Sequence, residues 1–365
     1  MTYTIGDAIA ALDSVFPLAT QDGWDNSGLL VGDTRAELKG VLFAVDITEE
    51  AVNEAVAKGH NLIVAHHPLM FRGLKRLTGR NAEQRIVAAA IRHDIALAAF
   101  HTPADKHLRG TSGTIGRAIG LKEIAVLAPE RDALCKVVVF VPTSHAEAVV
   151  DAMSDAGAGH IGNYSHCAWQ TEGDGQFRAE DGAQPYVGQL GTTHHEAESR
   201  VEVICPRHLA ARVMKAATDA HPYEEPAIDI TPLANRHQTF GYGVVGNLPK
   251  ELNAKEFLAL LKERIGCDCI RFAGEREAIR RVAICTGSGS ELVGDAIGSG
   301  ADAYVTADMK YHQMSDAAQE IMVADIGHFE SESVTKQIFK DIVKEKLPNF
   351  AHYETYEGAN PIKYY

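Results

Sequence analysis

The segment 61–68 constrains the fold more than any other part of the sequence. Its apolar, β-branched start, residues 62–65, predicts a buried strand of a parallel sheet. His66, His67 and Pro68 follow, and the strand has to end there because proline cannot donate a ladder hydrogen bond. Both imidazoles are therefore expected at the carboxyl end of a buried strand, where open α/β sheets bind their ligands.

The histidine pair allows more than one interpretation. Neighbouring side chains on a regular strand point to opposite faces, so His66 and His67 would chelate a single ion poorly. They are well placed to give one imidazole to each of two ions, or one to an ion and one to a substrate. Alternatively, one is a hydrogen-bonded core residue and the other a loop residue, since histidine is common in both roles.

Composition indicates a large α/β protein and argues against several functions. The chain has 365 residues, of which 45% are hydrophobic, enough for two or three domains. Helical patterns alternate with short apolar strands, which favours the α/β class. A formal net charge of -14 argues against binding to a nucleic-acid backbone. We find no basic leader, no apolar run of membrane-spanning length and no Cys-x-x-Cys pair among the six cysteines, so we expect a reduced, cytoplasmic protein without a membrane partner.

Metal-ligating side chains also follow two other predicted strands. The strands 95–100 and 321–326 lead into His101, Asp105, His328 and Glu332. His328 and Glu332 are four residues apart, so on a helix they would share one face and could chelate one ion or bridge to a second. The alternatives are a turn-capping role for Asp105 and an ordinary surface pair for His328 and Glu332.

Together these strand ends offer enough ligands for two metal ions. Three imidazoles and two carboxylates are sufficient if the ions share a bridging carboxylate. Nitrogen and oxygen ligands without thiolates suit zinc, manganese, iron, cobalt or nickel. Paired ions of this kind usually serve hydrolysis by activating water.

The middle of the chain has a different pattern. From about residue 136 to 229 the predicted order is strand, helix, strands, strand, helix, strand, which resembles a ferredoxin-like split βαβ repeat. Polar segments at 129–132 and 235–238 are suitable linkers. We therefore predict a first lobe at 1–130, an inserted α+β ferredoxin-like domain at 131–235, and a second lobe at 236–365.

The second lobe contains a weak internal repeat of the first. If Ala55 is aligned with Ala296, then Gly59 falls on Gly300, Val64 on Val305 and His67 on Asp308, as the printed sequence shows. Element order agrees across this alignment. The repeat predicts two similar α/β lobes that face one cleft, with Asp308 near it.

Two loops are compatible either with a site or with an ordinary turn. The segment 287–290, Gly-Ser-Gly-Ser, lies between a strand and a helix and could cradle an anion on its backbone amides. Asp25 and Asn26 lie in a polar stretch that could approach a site. Turn chemistry explains both loops equally well.

Several of these motifs together resemble one known family. The matching stretches are 24–32, 45–48, 65–68, 101–105 and 327–332. In this order they resemble the Nif-three-like family, whose members are also called GTP cyclohydrolase type-two homologues. The resemblance covers nearly the whole chain outside the insert, and the insert looks like that of the longer bacterial members, with signatures at 159–164 and 221–226.

The resemblance implies a fold, an assembly and a ligand set. It implies two similar α/β lobes in a homohexamer, with an insert similar to the ferredoxin-like trimers of signalling (PII-like) and copper-tolerance (CutA-like) proteins. It implies two divalent ions per subunit, zinc, iron or manganese, and the ligands would be His66, His67, Asp105, His328 and Glu332. His101 would line the pocket. If the protein is a hydrolase, either His101 or His312 would move protons as a catalytic group. Asp105 or Glu332 would be the bridge.

Two functions fit these expectations. The first is a metal-dependent hydrolase that acts on a small molecule, with GTP or another nucleotide as a candidate, although the sequence contains no clear guanine-recognition motif. The second is a non-enzymatic metal-binding regulatory or scaffold ring whose insert senses a ligand or binds a partner. Open nitrogen and oxygen sites for two metals are usually catalytic, which favours the first.

Overall fold

The structure is a computed structural model that describes residues 2–358, 360–363 and 365. The chain forms two compact units, one of Met1–Pro129 with Gln238–Tyr365 and the other of Glu130–His237. The larger unit contains both predicted lobes, and the smaller unit contains the predicted insert.

The first part of the larger unit alternates helices with short strands. In chain order its elements are α1 (Ile5–Asp13), β1 (Gly28–Val31), β2 (Val41–Ala44), α2 (Glu49–Lys58), β3 (Leu62–Ala65), α3 (Ala82–Arg92), β4 (Ala96–Ala99), α4 (Thr102–Asp105), α5 (Thr111–Ala118) and β5 (Lys122–Pro129). Strands β2, β3 and β4 are parallel neighbours, and every residue in them is buried. This burial explains why their sequences are continuously apolar rather than alternating.

The insert is a ferredoxin-like sheet with two helices. Its elements are β6 (Leu134–Pro142), α6 (Ala146–Asp155), β7 (Ala168–Arg178), β8 (Thr193–Pro206), α7 (Ala210–Ala220) and β9 (Ile228–Leu233). The strands are antiparallel in the order β7-β8-β6-β9, which is the order of a split βαβ repeat. Alternate residues of β6 and β8, such as Val137, Val139, Val201 and Val203, form the core with the two helices. The predicted α+β class of the insert is confirmed.

The second part of the larger unit begins with a long strand. Its elements are β10 (Gly241–Leu252), α8 (Ala254–Ile265), β11 (Arg271–Ala273), β12 (Ile279–Ile284), α9 (Val293–Gly298), β13 (Ala303–Thr306), α10 (Tyr311–Ala317), β14 (Met322–Asp325), α11 (His328–Glu332), α12 (Thr335–Lys346) and β15 (Tyr353–Thr355). No helix in the described part of the chain is both long enough and apolar enough to cross a bilayer.

The two lobes repeat one topology. The order α1-β1-β2-α2-β3-α3-β4 recurs as α8-β11-β12-α9-β13-α10-β14. In each lobe three parallel strands are flanked by an antiparallel edge strand, β1 beside β4 and β11 beside β14. Gly59 and Gly300 end equivalent helices with left-handed φ values of 71° and 73°, a conformation that glycine adopts without steric cost. The prediction of two similar α/β lobes is confirmed.

The lobes exchange their last elements. Strand β5 pairs with β10 in the second sheet, and β15 pairs with β2 in the first. Helix α12 contributes Phe339 and Ile342 to the core of the first lobe. Helix α5 contributes Ile115 to the core of the second, and Ile119, which follows α5, lies in the same core. Each lobe is therefore built from both chain segments of the larger unit. Residues that follow β3, β4 and β14 line one cavity.

Candidate metal centre

Polar side chains from three strand ends of the larger unit converge on one point. Donor atoms of six residues form three overlapping groups, within each of which all atoms lie within 4.8 Å of one another: His66, His67 and His101; His67, His328 and Glu332; and His66, Asp105 and Glu332. The structure thus brings together all five predicted ligands and adds His101 to them.

His66 is the most buried member of the cluster, with no exposed surface. It follows β3, and its Nδ1 lies 3.1 Å from the carbonyl oxygen of Phe100, to which it donates. In that tautomer Nε2 carries a lone pair, which faces Asp105 Oδ1 at 3.4 Å and Glu332 Oε1 at 3.6 Å. Nε2 has no hydrogen-bond partner among the described residues, so this buried nitrogen is free to act as a ligand atom for a cation.

His67 and His328 are held in the same way by two aspartates. Nδ1 of His67 lies 2.8 Å from Asp46 Oδ1, and Nδ1 of His328 lies 2.7 Å from Asp308 Oδ2. A carboxylate on one ring nitrogen fixes the tautomer and makes the other nitrogen a better ligand. The two Nε2 atoms lie 3.4 Å apart and point at the same carboxylate.

That carboxylate belongs to Glu332, which is only 3% exposed. Its Oε2 lies 3.0 Å from Nε2 of both His67 and His328, and its Oε1 faces His66. Asp105 Oδ1 lies 3.4 Å from His66 Nε2 and accepts a hydrogen bond from Thr111 Oγ1 at 3.0 Å. Of the two carboxylates, Glu332 therefore has the position of a bridge between two groups of imidazoles.

Local backbone geometry places these side chains. His101 precedes α4 and Asp105 ends it, and His328 and Glu332 occupy the equivalent helix α11 of the other lobe. Asp308 adopts a left-handed φ of 56°, a region that aspartate visits more readily than most residues. The pairs His101–Asp105 and His328–Glu332 follow equivalent strands, β4 and β14, of the repeated topology. This relation was not visible in the sequence.

Burial and charge shift the acid–base behaviour of the cluster. Burial alone would lower the pKa of His67, but the carboxylates of Asp46 and Glu332 raise it to about 10. Burial opposes the charged form of His328 too, yet Glu332 and Asp308 raise its pKa to about 9. The pKa of Glu332 is held well below its usual range by His66 and the other imidazoles, despite its burial. Without a metal, protons on the imidazoles therefore balance the buried carboxylate.

We expect metal affinity to increase with pH, because ions and protons compete for the same nitrogens. His67 and His328 are protonated at pH 7 and lose their protons only near pH 10 and pH 9. Each displaced proton should strengthen apparent binding about tenfold per pH unit below these values. Competition with a chromophoric chelator at pH 6, 7 and 8 measures this dependence. A flat profile, after correction for the chelator, would contradict it.

His101 is oriented by a buried carboxylate that the sequence left ambiguous. Nδ1 of His101 lies 3.0 Å from Asp25 Oδ1, and Asp25 also accepts hydrogen bonds from the Thr102 hydroxyl at 2.6 Å and the Ser27 hydroxyl at 2.9 Å. Burial would raise the pKa of Asp25, but these hydrogen bonds hold it well below its usual range. Asp25 is therefore a charged anchor for His101 rather than only a turn residue.

A cavity of about 470 Å³ opens onto the cluster. Its lining residues are Asp22, Trp24, His67, Phe71, His101, Thr102, Asp105, Tyr242, Cys285, Thr286, Ser288, Gly289, Glu291, Leu292, His328 and Glu332. Trp24 and Phe71 are 59% and 50% exposed, and their ring centroids lie 5.6 Å and 5.9 Å from that of His101. These two aromatic side chains give the cavity a surface for a planar group.

The structure does not bring His312 to the cluster. It lies exposed on α10 with its ring edge-on to Tyr311, and it is not among the residues that line the cavity in the described part of the chain.

The structure also argues against the predicted alternative of an anion-binding loop at 287–290. Gly287 donates its N–H to Ser331 Oγ, and Gly289 donates to Thr306 Oγ1, so both amides are used internally as in a tight turn.

Fold and site together define a two-lobed α/β protein with a candidate metal centre at its strand ends. The sequence model of the Duf34/NIF3 (NGG1p interacting factor 3) family matches residues 3–361. The chain belongs to this family, which confirms the resemblance drawn from the motifs.

Curated relatives and solved structures agree with this assignment. The chain is 38% identical over 336 residues to a GTP cyclohydrolase 1 type 2 homolog of Halalkalibacterium halodurans, covering 91% of this chain and 89% of the relative. It is 36% identical to the Bacillus subtilis protein of the same name, covering 90% and 87%. A Bacillus cereus protein related to NIF3 superposes with a TM-score of 0.87 at 36% identity, over the full length of both chains.

Proposed function

We propose that the chain binds two divalent metal ions and acts as a metal-dependent hydrolase on a small molecule. The observation that carries the proposal is the position of Glu332, a buried carboxylate with one oxygen toward His66 and the other toward His67 and His328. In this proposal His67, His328 and Glu332 would hold one ion, and His66, Asp105 and Glu332 would hold the other.

The chemistry of the donors supports divalent ions of borderline hardness. Ring nitrogens of three imidazoles face carboxylate oxygens at 3.0–3.6 Å, an arrangement that is repulsive unless a proton or a cation lies between them. Cys285 lines the cavity, but it is not among the groups of donor atoms that could hold an ion within the described residues. Nitrogen and oxygen donors alone suit zinc, iron or manganese.

In this proposal different residues have different catalytic roles. When bound, two such ions supply Lewis-acid activation of water and of a substrate oxygen. His101 is the group that would move protons, because Asp25 occupies its Nδ1 and leaves Nε2 for exchange. Trp24 and Phe71 would stack on a planar part of the substrate at the cavity mouth.

The cavity and the names of the relatives support a small-molecule substrate. Its volume of about 470 Å³ lies in the range of small-molecule sites. The relatives carry the name GTP cyclohydrolase 1 type 2 homolog, so GTP and other nucleotides are the first candidates to test. The decisive comparison is turnover by protein loaded with zinc, iron or manganese against protein stripped of metal. Equal turnover after stripping would contradict a metal-dependent hydrolase.

We expect Asp25→Asn to reduce turnover without removing metal. The change leaves the shape of the side chain but removes the charge that orients His101, so kcat should fall roughly 10²-fold, the lower end of what general acid–base groups supply. Asp33→Asn is a matched control, because the Asp33 side chain lies on the surface, where it pairs with Arg35. Metal content and kcat of both variants should be measured together. If Asp25→Asn kept the wild-type kcat, the proposed role of His101 in proton transfer would be contradicted.

A second candidate is a non-enzymatic metal-binding regulatory or scaffold ring. It is favoured by the insert, which has a core of its own and a fold that a hydrolase does not require. The predicted homohexamer belongs to both candidates, and light scattering should give about six times the 39.4 kDa chain mass. Stoichiometric metal without turnover on a broad panel of nucleotides and esters would favour this second function.

A further inference from the structure

The insert contains a cavity of about 250 Å³ that the metal chemistry does not use. Phe140, Phe177 and Glu198 line it from β6, β7 and β8. Val139 and Val141, the neighbours of Phe140, lie in the core beneath the helices, so Phe140 points to the opposite face of the sheet. The cavity is thus on the side of the sheet without helices.

Aromatic rings form much of its wall. Tyr223 is central, with its ring centroid 5.6 Å from that of Phe177 and 6.3 Å from that of Tyr186. His221 positions Tyr223, because its Nε2 donates to the Phe140 carbonyl at 2.9 Å and its Nδ1 accepts from the Tyr223 N–H at 3.0 Å. The motif at 221–226 therefore builds this wall.

The loop that follows β7 closes the cavity. It contributes Ala179, Ala183, Pro185 and Tyr186 to the lining. Its backbone is tied to the opposite wall, since the N–H of Gln184 donates to Glu224 Oε1 at 2.8 Å. The enclosure therefore depends on contacts within the insert itself.

The charged side chains that line the cavity within the described residues are carboxylates; the nearby Arg200 guanidinium, 5.3 Å from the centroid of the Phe140 ring, is paired with Glu202. Glu198, Glu224 and Glu225 line the cavity, and no lysine or arginine does so within the described residues. A side chain at Gly175 would place its Cβ 2.1 Å from the Glu198 carboxylate, so glycine on the adjacent strand leaves room for that carboxylate. Aromatic faces and a carboxylate together attract a cation.

One polar atom in the wall lacks a full set of hydrogen-bond partners. The Tyr223 hydroxyl is buried, and no described residue meets it with full hydrogen-bond geometry, although the Glu198 carboxylate lies close enough to interact with it. Burial and the nearby Glu198 carboxylate raise the pKa of Tyr223, so the phenol keeps its proton. Its oxygen can still accept a hydrogen bond, and a ligand with an N–H group would supply one.

We propose that this cavity binds a small organic cation that carries N–H donors, a primary amine or a guanidinium. Tyr223, Tyr186 and Phe177 surround its apolar and cationic surface, Glu198 neutralises its charge, and the Tyr223 hydroxyl accepts one N–H. The site is independent of the metal centre, because every lining residue belongs to the insert.

The test uses the full-length chain and two probes of nearly equal shape. Calorimetry should detect saturable binding of n-butylguanidinium at about one per chain and none of n-butylurea, its uncharged isostere. Glu198→Gln should weaken binding on the order of tenfold, and Tyr223→Phe about threefold to tenfold. Glu172→Gln, which removes an exposed charge from β7 outside the cavity, should bind as the wild type does.

Hydrogen exchange locates the bound probe. Backbone amides at 176–186 and 221–227 should be protected by n-butylguanidinium in the wild type and not in Glu198→Gln. Equal affinity for n-butylurea, absence of saturable binding, wild-type affinity in Glu198→Gln, or protection confined to the metal centre would each overturn the proposal.

Discussion

Glu332→Gln is expected to lower the metal content of the purified protein from about two ions per chain to less than one. Glutamine keeps the size of the side chain but removes the negative charge and one of the two acceptor oxygens. Because Glu332 faces His66 through one oxygen and His67 and His328 through the other, a single substitution should weaken both groups of ligands.

A control for this variant lies on the same helix. Glu330 is two residues away on α11, outside the groups of donor atoms that could hold an ion, and Glu330→Gln should retain wild-type metal content. Elemental mass spectrometry on protein purified without an affinity tag gives the ratio directly. His66→Ala should also lose metal, since it removes the fully buried imidazole. Wild-type stoichiometry in Glu332→Gln would rule out the bridging role.

Thermal unfolding gives an independent measure of the same effect. A ligand that binds only the folded chain raises the unfolding midpoint, so adding a strong chelator should lower the midpoint of the wild type. The chelator should change the midpoint of Glu332→Gln far less, because that variant has little metal to lose. Equal shifts in both proteins would mean that the stabilising ion binds elsewhere.

The sequence predicted the strand ends well because local patterns determine them. The buried run before His66 is apolar on both faces, and Pro68 ends it, so the position of both histidines follows from a few neighbouring residues. The left-handed glycines that end α2 and α9, Gly59 and Gly300, likewise made the internal repeat visible. Such features depend on residues close together in the chain.

The exchange of elements between the lobes could not be predicted in this way. Strand β15 pairs with β2, although about 300 residues separate them, as their bounds show. Hydrophobic periodicity identifies a strand but carries no information about which distant strand becomes its neighbour. For the same reason, the cavity of the insert could not be predicted. It forms where the motif around Tyr223 lies next to Phe177 and Glu198, which belong to other strands.

The direction of individual side chains was also beyond the sequence. Asp308 and His312 are four residues apart, yet only Asp308 reaches the cluster, because its left-handed φ of 56° precedes a helix that leaves His312 exposed. Asp46 and Asp25 orient His67 and His101 from separate loops. Contacts of this kind depend on backbone angles that residue spacing does not specify.

Gly287→Ala should disrupt the metal centre from outside its ligand set. Gly287 has a left-handed φ of 64°, and a Cβ on it would lie 2.2 Å from Glu332 Oε1. The strained backbone alone should cost about 1–2 kcal/mol of the free energy of unfolding. The collision should cost more, because Glu332 is buried and cannot move away without leaving the imidazoles. We therefore expect a loss of roughly 2–4 kcal/mol together with most of the bound metal.

Gly300→Ala separates the two effects. Gly300 has a similar φ of 73°, but a Cβ there would meet nothing within 4 Å. This variant should lose only the backbone contribution of about 1–2 kcal/mol and retain its metal. Chemical denaturation in the presence of chelator measures how much each variant loses in free energy of unfolding when no metal is bound. Metal analysis of the folded variants shows how much metal each one retains. If both glycine variants kept the same metal content, contact between position 287 and Glu332 would not control the centre. If only Gly287→Ala lost it, the glycine would be required because it leaves space for the bridging carboxylate.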